Sequence, residues 1–232
     1  MEHPSQPSAP PPTIDASRMS LFLDFDGTLV ELADQPDGVT VSSELASLLE
    51  RLASKLDGRL AVVSGRSLAQ LDHFFGPFSR SAAMVGSHGA EVRTRGSEAT
   101  APDRPEALRE AQQQFSGAFR ENKGVLIEVK TLGVAIHYRL DPAAEVEAHR
   151  LATDFASRHA LELQRGKMMV EVRSPGHDKG SGIATLMSMP PFTGSVPLFL
   201  GDDLTDEPGF HRCAEMGGAG VLVGVPRPSG SE

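Results

Sequence analysis

The stretch LFLDFDGTLV, residues 21–30, ends an apolar strand pattern in two aspartates, Asp24 and Asp26, followed at once by a glycine. Two carboxylates about 4 Å apart repel by roughly 4 kcal/mol at an effective dielectric constant near 20, so a cation or a shared proton is expected beside them. The carboxyl end of a strand is also where open α/β sheets bind their ligands. The stretch therefore predicts a chemical site at the edge of a parallel sheet.

Two other interpretations of these residues are weaker. A helix-loop-helix calcium site needs an oxygen ligand at its fifth position, glycine at its sixth and glutamate at its twelfth, where this chain has Thr28, Leu29 and Gln35. An ordinary turn after a strand also uses Asp and Gly. The motifs that follow later in the chain make a simple turn an insufficient explanation.

The composition indicates an acidic protein with a small, soluble partner. The 232 residues carry a formal net charge of −9, which argues against nucleic acid or an anionic membrane as partner because both require a basic face. Cys213 is the only cysteine, so no intrachain disulfide is possible and a reducing cytoplasm is the expected location. Cys213 is expected to be a buried apolar residue, and the protein a monomer or weak oligomer.

Strand and helix patterns alternate along most of the chain, which is typical of a parallel α/β sheet. Residues 1–18 are the exception: they contain five prolines and no apolar run long enough for a signal peptide or membrane helix, and are expected to form a disordered tail. From Met19 onward, strands are predicted at 21–25, 60–64, 82–92, 196–200 and 220–224, and helices at 42–56, 67–75 and after Lys179.

Residues 93–174 have a different pattern, in which each of two helices is followed by a pair of strands. The helices are predicted at 105–120 and after Asp141 and Pro142, which are residue types that commonly begin a helix. The strands are predicted at 125–130, 133–139, 161–164 and 168–173. This pattern predicts a second domain with its own sheet, inserted into a first domain that comprises residues 19–92 and 175–232.

Two short segments offer groups that could bind a phosphoryl oxygen. VVSGR, residues 62–66, ends a buried strand in Ser64 and Gly65, which supply a hydroxyl and free backbone N–H groups. An ordinary strand-to-helix turn would use the same residues. Lys179 in HDKG precedes a helix, where its ammonium and the positive end of the helix dipole can act on one anion. A solvated surface lysine is the alternative there.

The stretch GDDLTDE, residues 201–207, gathers four acidic residues directly after an apolar strand. Such a cluster is costly unless it binds a hard cation or points largely into water. If this strand neighbours the first one, Asp24, Asp202 and the backbone carbonyl of Asp26 form an oxygen site suited to Mg²⁺. Asp206 would then orient those ligands or reach the ion through water.

The ordered set DFDGTL, SGR, DKG and GDDLTDE closely resembles the four motifs of the haloacid dehalogenase (HAD) superfamily of phosphatases, and within it the trehalose-6-phosphate phosphatases. The resemblance covers about Met19 to Gly224, and SGR, GDDxTDE and SHGAE at 87–91 are its more specific elements. It implies an α/β fold in which a Rossmann-like parallel-sheet HAD core carries an inserted α/β cap domain. Members usually continue past the last core strand into a terminal helix, whereas this chain ends in GVPRPSGSE, a difference expected to affect stability rather than chemistry.

The resemblance also implies catalytic roles. Asp24 would be the nucleophile and form an aspartyl-phosphate. Asp26 would protonate the leaving sugar oxygen and then take a proton from the hydrolytic water. Ser64 and Lys179 would hold the phosphoryl oxygens while magnesium neutralises the site. The implied magnesium-binding residues are Asp24, Asp26, Asp202 and Asp206.

The predicted strands of the cap have one apolar and one charged face, because successive strand residues alternate between faces. The charged face is suited to sugar hydroxyls, and a solvated sheet face is the alternative. In this family, E-x-K, H-Y-R and G-K-x-x-x-E-x-R carry disaccharide contacts, while Arg66 of the core contacts substrate or supports the structure. The implied substrate-binding residues are Gly27, Gly65, Arg66, His88, Glu128, Lys130, Arg139, Lys167 and Glu171.

These residues together predict a magnesium-dependent phosphatase that hydrolyses trehalose 6-phosphate to trehalose and phosphate. Alternatives of the same class act on sucrose phosphate, mannosyl-phosphoglycerate or a hexose phosphate. Alternatives of another class are a non-catalytic sugar-phosphate sensor and a phosphotransferase that passes the phosphoryl group to a second sugar. The presence of both Asp24 and Asp26 argues against the sensor.

Overall fold

The computed structural model describes residues 15–31, 38–166 and 168–231. Most of the tail predicted at 1–18 lies outside the described residues, as does the predicted substrate-binding residue Lys167. Two sheets and six α-helices make up the described part of the chain. None of these helices is both long and apolar enough to span a membrane.

A six-stranded sheet forms the centre of the first domain. Its strands are β1 (Met19–Asp24), β2 (Leu60–Val63), β3 (Ala83–Gly86), β4 (Glu91–Arg93), β9 (Val196–Gly201) and β10 (Ala219–Leu222). The order across the sheet is β10-β9-β1-β2-β3-β4, and all neighbours are parallel except β3 and β4. The stretch predicted as strand at 82–92 is divided into β3 and β4 by a short 3₁₀ turn, Ser87–Gly89.

Helices cover both faces of this sheet. They are α1 (Ser43–Lys55), α2 (Leu68–Phe75), α5 (Lys179–Met187) and α6 (Glu207–Glu215). Alternate residues of β1 point to opposite faces, so Leu23 packs with Leu49 of α1 while Phe22 packs with Ile183 of α5 and Phe210 of α6. Sequence-based prediction missed α6, although Pro208 in its first turn is a typical helix-start signal.

A second, antiparallel sheet lies between β4 and α5 in the sequence. Its strands are β5 (Leu126–Val129), β6 (Gly133–His137), β7 (Glu162–Gly166) and β8 (Met169–Arg173), in the order β5-β6-β8-β7. Helices α3 (Glu106–Ala118) and α4 (Glu145–His159) cover one face, where Ile136 and Val172 pack with Phe115 and Phe155. The predicted apolar face is therefore confirmed.

The fold class predicted from the sequence is confirmed, because a mostly parallel central sheet is interrupted by a unit with its own antiparallel sheet. The domain limits at 92/93 and 174/175 stay a prediction. The cap unit leaves its charged sheet face uncovered by α3 and α4, and two hydrogen-bonded contacts from that unit reach the core at α2 and at Glu91. The fold thus brings a charged sheet face towards the carboxyl edge of the parallel sheet.

Candidate active site

Three predicted site residues lie together because their strands are neighbours. Asp24 is the last residue of β1 and is in register with Val63, so Ser64 follows beside it. On the other side of β1, Leu23 is in register with Leu200 of β9, and Asp202 follows directly after that strand. The condition set by the sequence analysis, that the first strand and the strand before GDDLTDE are neighbours, is therefore met.

Lys179 links two of the buried acids. It is the first residue of α5, whose N-terminus is capped by Asp178. Its Nζ donates to Oδ1 of Asp24 at 2.7 Å and to Oδ1 of Asp206 at 2.6 Å. All three side chains are almost fully buried. Oδ2 of Asp206 accepts the backbone N–H groups of Asp202 and Asp203, both at 3.0 Å, and so fixes the acidic turn after β9.

The negative charge of the acidic group exceeds the positive charge beside it. Asp24, Asp202 and Asp206 offer carboxylate oxygens that all lie within 4.8 Å of one another. Three carboxylates facing one ammonium leave two negative charges without a partner at this point. A divalent cation bound by oxygen ligands would supply the missing charge, so the donor set fits a hard metal ion.

The pKa shifts of these groups agree with that charge deficit. Burial raises the pKa of Asp24 to about 7, with Asp206 adding to the rise and Lys179 opposing it. Burial, and then the charge of Asp206, also raise the pKa of Asp202. Burial disfavours the ammonium of Lys179, but Asp24 and Asp206 outweigh it, and the pKa of Lys179 is raised. Lys179 is therefore positively charged, and the carboxylates need more positive charge than it provides.

Asp26 is held by Arg66 through two parallel hydrogen bonds. Arg66 Nε and Nη2 donate to the two carboxylate oxygens of Asp26, each at 2.7 Å. The guanidinium also lies over the ring of Phe74, 4.8 Å from its centroid. The side chain of Asp26 is not part of the acidic group of Asp24, Asp202 and Asp206. A contribution to the metal site through its backbone carbonyl stays a prediction.

Gly27 is required by its backbone and by the space around it. Its φ is +92°, and a Cβ there would lie 2.1 Å from Oδ2 of Asp202. A side chain at this position would therefore displace Asp202 from the acidic group. Thr28 lies at the same turn, with its hydroxyl 3.5 Å from Oδ1 of Asp202.

Ser64, Gly65 and His88 form the next part of the site. The buried Ser64 Oγ accepts the backbone N–H of Arg66 at 3.1 Å. A Cβ on Gly65 would lie 2.5 Å from the ring of His88, so Gly65 allows close packing of that imidazole. Burial, followed by the charges of Lys130, Lys179 and Arg173, lowers the pKa of His88 to about 3. His88 is thus a neutral ring between the core site and the cap.

A small pocket opens where His88 faces the cap. It includes two of the predicted cap contacts, Lys130 and Glu171, together with the hydroxyls of Ser87 and Ser174. Both hydroxyl oxygens are buried without a hydrogen-bond partner within the described residues. The complete lining is Ser87, His88, Lys130, Leu132, Gly133, Glu171, Arg173, Ser174 and His177. Polar groups from both units therefore converge here.

On the charged face of the cap, acidic side chains are hydrogen-bonded to basic ones. Lys130 Nζ donates to Oε2 of Glu171 at 2.6 Å, and Nε2 of His137 lies 2.8 Å from Oε2 of Glu128. The hydrogen bond from His137 is the main cause that lowers the pKa of Glu128 to about 2, against an opposing effect of burial. Glu128 is therefore ionised at neutral pH.

Arg139 is a further residue that the sequence predicted as a cap contact. It follows the end of β6 by two residues and is exposed. It is not among the residues that line the pocket. Its contact with substrate, like that of Lys167, stays a prediction.

Two residues that the sequence analysis did not single out connect the site to the cap. Gln70 of α2 donates from Nε2 to Oε1 of Glu128 at 3.3 Å. Glu91 accepts the backbone N–H of Leu68 at 2.5 Å and also contacts the hydroxyl of Thr131. The spacing Ser67-x-x-Gln70 signals a capped helix start, but no sequence signal points to a bond with another domain.

Comparison with known proteins identifies relatives over nearly the whole chain. The family model described as "Trehalose-phosphatase" matches residues 22–227. A probable trehalose-phosphate phosphatase of Sinorhizobium fredii is 37% identical over 217 residues, covering 93% of this chain and 81% of the relative. The trehalose-6-phosphate phosphatase of Escherichia coli is 36% identical over 223 residues, covering 95% and 83%.

Solved structures agree with the sequence comparison. The C-terminal domain of the Candida albicans trehalose-6-phosphate phosphatase superposes with a TM-score of 0.75 at 25% identity, covering 93% of this chain and 86% of that one. A HAD-superfamily phosphatase of Bacteroides thetaiotaomicron, at 17% identity and a TM-score of 0.55, shares the fold. The resemblance drawn from the four motifs is confirmed. The chain belongs to the trehalose-phosphatase family and is a phosphatase.

Proposed function

We propose that this phosphatase hydrolyses trehalose 6-phosphate to trehalose and phosphate through an aspartyl-phosphate on Asp24, with Mg²⁺ as its metal ion. The observation that carries the proposal is the buried group in which Lys179 joins Asp24 to Asp206 beside Asp202. Two relatives that this chain covers over more than 80% of their lengths are named as trehalose-phosphate phosphatases, which supports the choice of substrate.

In the first step a carboxylate oxygen of Asp24 attacks phosphorus, and the bond from phosphorus to the sugar oxygen breaks. Lys179 holds the Asp24 carboxylate in place through the 2.7 Å bond. Asp26 gives a proton to the departing sugar oxygen. Arg66 binds both oxygens of Asp26 as an ionised carboxylate, so one of these two bonds must open and Asp26 must take up a proton before it acts as the acid.

In the second step Asp26 takes a proton from water, the water oxygen attacks phosphorus, and the bond to Asp24 breaks. Phosphate leaves and both aspartates return to their starting states. Ser64 and Lys179 bind the phosphoryl oxygens in both steps, since they flank Asp24 on the neighbouring strand and helix. Splitting the reaction in this way replaces one difficult displacement by two easier ones.

Asp24 and Asp202 would hold the magnesium ion, with the backbone carbonyl of Asp26, while Asp206 orients the turn that carries Asp202. When bound, the ion would neutralise the carboxylates so that an anionic nucleophile can approach an anionic phosphate. The fit of a magnesium ion to this site is inferred from the two negative charges that Lys179 leaves uncompensated.

The sugar would bind against the cap, which we assign to residues 93–174, with the core at 19–92 and 175–232. Its charged face offers Glu128, Lys130 and Glu171, joined by His88 from the core. Ionised carboxylates and an ammonium provide acceptors and donors for the many hydroxyls of a disaccharide. We assign Gly27, Gly65 and Arg66 to support of the phosphate end of the same site.

Phosphate release from a panel of esters tests the proposal. We expect trehalose 6-phosphate to be hydrolysed with the highest kcat/KM, ahead of sucrose phosphate, mannosyl-phosphoglycerate and glucose 6-phosphate. A site that binds both glucose rings leaves polar groups unpaired when one ring is missing, at about 1–3 kcal/mol each. A panel in which glucose 6-phosphate equals trehalose 6-phosphate would refute the proposed substrate.

A further inference from the structure

The segment 66–70, which leads into α2, is hydrogen-bonded at both of its ends. Towards the phosphate site, the backbone N–H of Arg66, two residues before the helix, is bound by Ser64 Oγ. Towards the cap, Gln70 reaches Oε1 of Glu128 at 3.3 Å. The start of α2 and the side-chain amide of Gln70 thus connect Ser64, which would bind phosphate, to Glu128, which would bind the sugar.

The orientation of the Gln70 amide is determined by its second contact. Ser67 and Gln70 form a capping box, in which the Gln70 backbone N–H is bound by Ser67 Oγ at 3.2 Å and Gln70 Oε1 accepts the Ser67 backbone N–H at 2.9 Å. Because Oε1 is committed to an N–H donor, the amide must present its NH₂ group to Glu128. The capping box at the start of α2 therefore orients the NH₂ group of Gln70 towards Glu128 of the cap domain.

Glu128 receives a donor on each of its oxygens. His137, from the adjacent strand of the same sheet, binds Oε2 at 2.8 Å, whereas Gln70 from the core binds Oε1. The carboxylate is about three-quarters buried, so its rotamer depends on both partners. Without Gln70, the cap sheet alone would fix only one oxygen of this group.

We infer that Gln70 is a positioning residue for substrate specificity, which locks Glu128 in the orientation that binds the sugar when the cap is docked on the core. This inference rests on the proposed function, because it assigns Glu128 to the sugar. A second bond next to it acts in the same direction: Glu91 joins the first residue of α2 to Thr131 of the β5–β6 turn. The phosphate and sugar ends of the site are then held at a constant separation.

The alternative is that Gln70 serves only to cap α2, and one substitution separates the two roles. Glutamate is as good as glutamine at the third position of a capping box, so Gln70→Glu preserves the helix start. The same change removes the NH₂ donor and places a carboxylate against Glu128, which repels it. Gln70→Glu therefore breaks the contact with the cap domain and leaves the local helix intact.

For Gln70→Glu we expect KM for trehalose 6-phosphate to rise at least tenfold, with kcat/KM on p-nitrophenyl phosphate within twofold of wild type. The melting temperature should stay within about 3 °C of the wild-type value, since the capping box survives. Gln112→Ala, an exposed glutamine on α3, is the matched control and should change neither substrate. An equal loss on both esters, or none on the disaccharide, would overturn the inference.

A double-mutant cycle and hydrogen exchange complete the test. If Gln70 acts through Glu128, adding Gln70→Glu to the Glu128→Gln variant should lower kcat/KM for trehalose 6-phosphate by less than threefold. A further tenfold loss in the double variant would show independent effects and would refute the inference. In the ligand-free protein, amides of the β5–β6 hairpin, residues 126–137, should exchange faster in Gln70→Glu than in wild type. Unchanged exchange there would overturn the inference, whereas failure of the wild type to hydrolyse trehalose 6-phosphate would overturn only the proposed function.

Discussion

The charged groups of the core and those of the cap are arranged in opposite ways. In the core, three carboxylates share the single ammonium of Lys179, and Asp24 and Asp206 are almost completely buried. On the cap face, each acid has its own base: Glu128 has His137 and Glu171 has Lys130. The core group has negative charge in excess, whereas each of these cap acids has a hydrogen-bonded partner of its own.

That difference indicates how the work of the site is divided. An unbalanced buried group attracts a cation and, with it, an anionic phosphate, so it suits bond making and breaking on any phosphate ester. A set of paired hydrogen-bond donors and acceptors suits neutral hydroxyls. Changes in the core should therefore affect every substrate, and changes in the cap should affect only those that carry the right sugar.

Asp24→Asn should have the largest effect. The substitution keeps the shape of the side chain but removes the nucleophilic charge, so turnover should fall by at least a thousandfold on trehalose 6-phosphate and on p-nitrophenyl phosphate alike. Single-turnover assays and circular dichroism would separate lost chemistry from lost folding. Activity within tenfold of wild type on either ester would contradict the covalent mechanism.

Asp202→Ala should come next, by weakening the metal site. We expect chelation to abolish wild-type activity and added Mg²⁺ to restore it, and we expect Asp202→Ala to need at least tenfold more Mg²⁺ for half-maximal rate. Asp154 is exposed on α4 and outside the acidic group, so Asp154→Ala is the matched control. Full activity of chelator-treated wild type would refute the metal assignment.

Much of the core site could be predicted from the sequence, because motifs at the ends of parallel neighbouring strands lie along one edge of the sheet. Asp24, Ser64 and Asp202 each follow or end an apolar strand, and that pattern indicated a shared site on the condition that their strands are neighbours. The alternation of polar and apolar residues in β6 and β8 likewise predicted which cap face is apolar. Periodicity gives this information because the face on which a strand residue lies depends only on its position within that strand.

The remainder depends on contacts between residues distant in sequence, for which periodicity gives no signal. Asp206 binds Lys179, 27 positions away, and the pairing of Asp26 with Arg66 spans 40 positions. Gln70 and Glu128 are 58 positions apart. Each is of a residue type that is common on protein surfaces, so neither residue alone indicates the contact. Helix α6 was missed for a different reason: the acidic residues before it were interpreted only as ligands.

Glu171→Gln tests the cap side of the comparison, with a smaller expected effect than changes in the core. Glu171 is buried and bonded to Lys130 beside the pocket. Removing its charge should lower kcat/KM on trehalose 6-phosphate by ten- to a thousandfold, roughly 1.4 kcal/mol for each tenfold, and leave p-nitrophenyl phosphate nearly unchanged. Glu110→Gln, on the exposed side of α3, is the control. Equal losses on both esters would mean that Glu171 supports the fold.

The smallest expected effect concerns the stability of the cap pair between Glu128 and His137. Because the pKa of Glu128 falls from its ordinary 4.5 to about 2 on folding, its ionised form stabilises the folded state fully above about pH 4.5. That stabilisation is lost as the pH falls towards 2, and it amounts to no more than roughly 3 kcal/mol at about 1.4 kcal/mol per pKa unit. Urea unfolding of wild type and Glu128→Gln should therefore differ most near pH 6 and clearly less at pH 3, while Glu110→Gln should follow wild type throughout. A difference between wild type and Glu128→Gln that stays constant from pH 6 to pH 3 would show that the partners of Glu128 do not hold its carboxylate ionised.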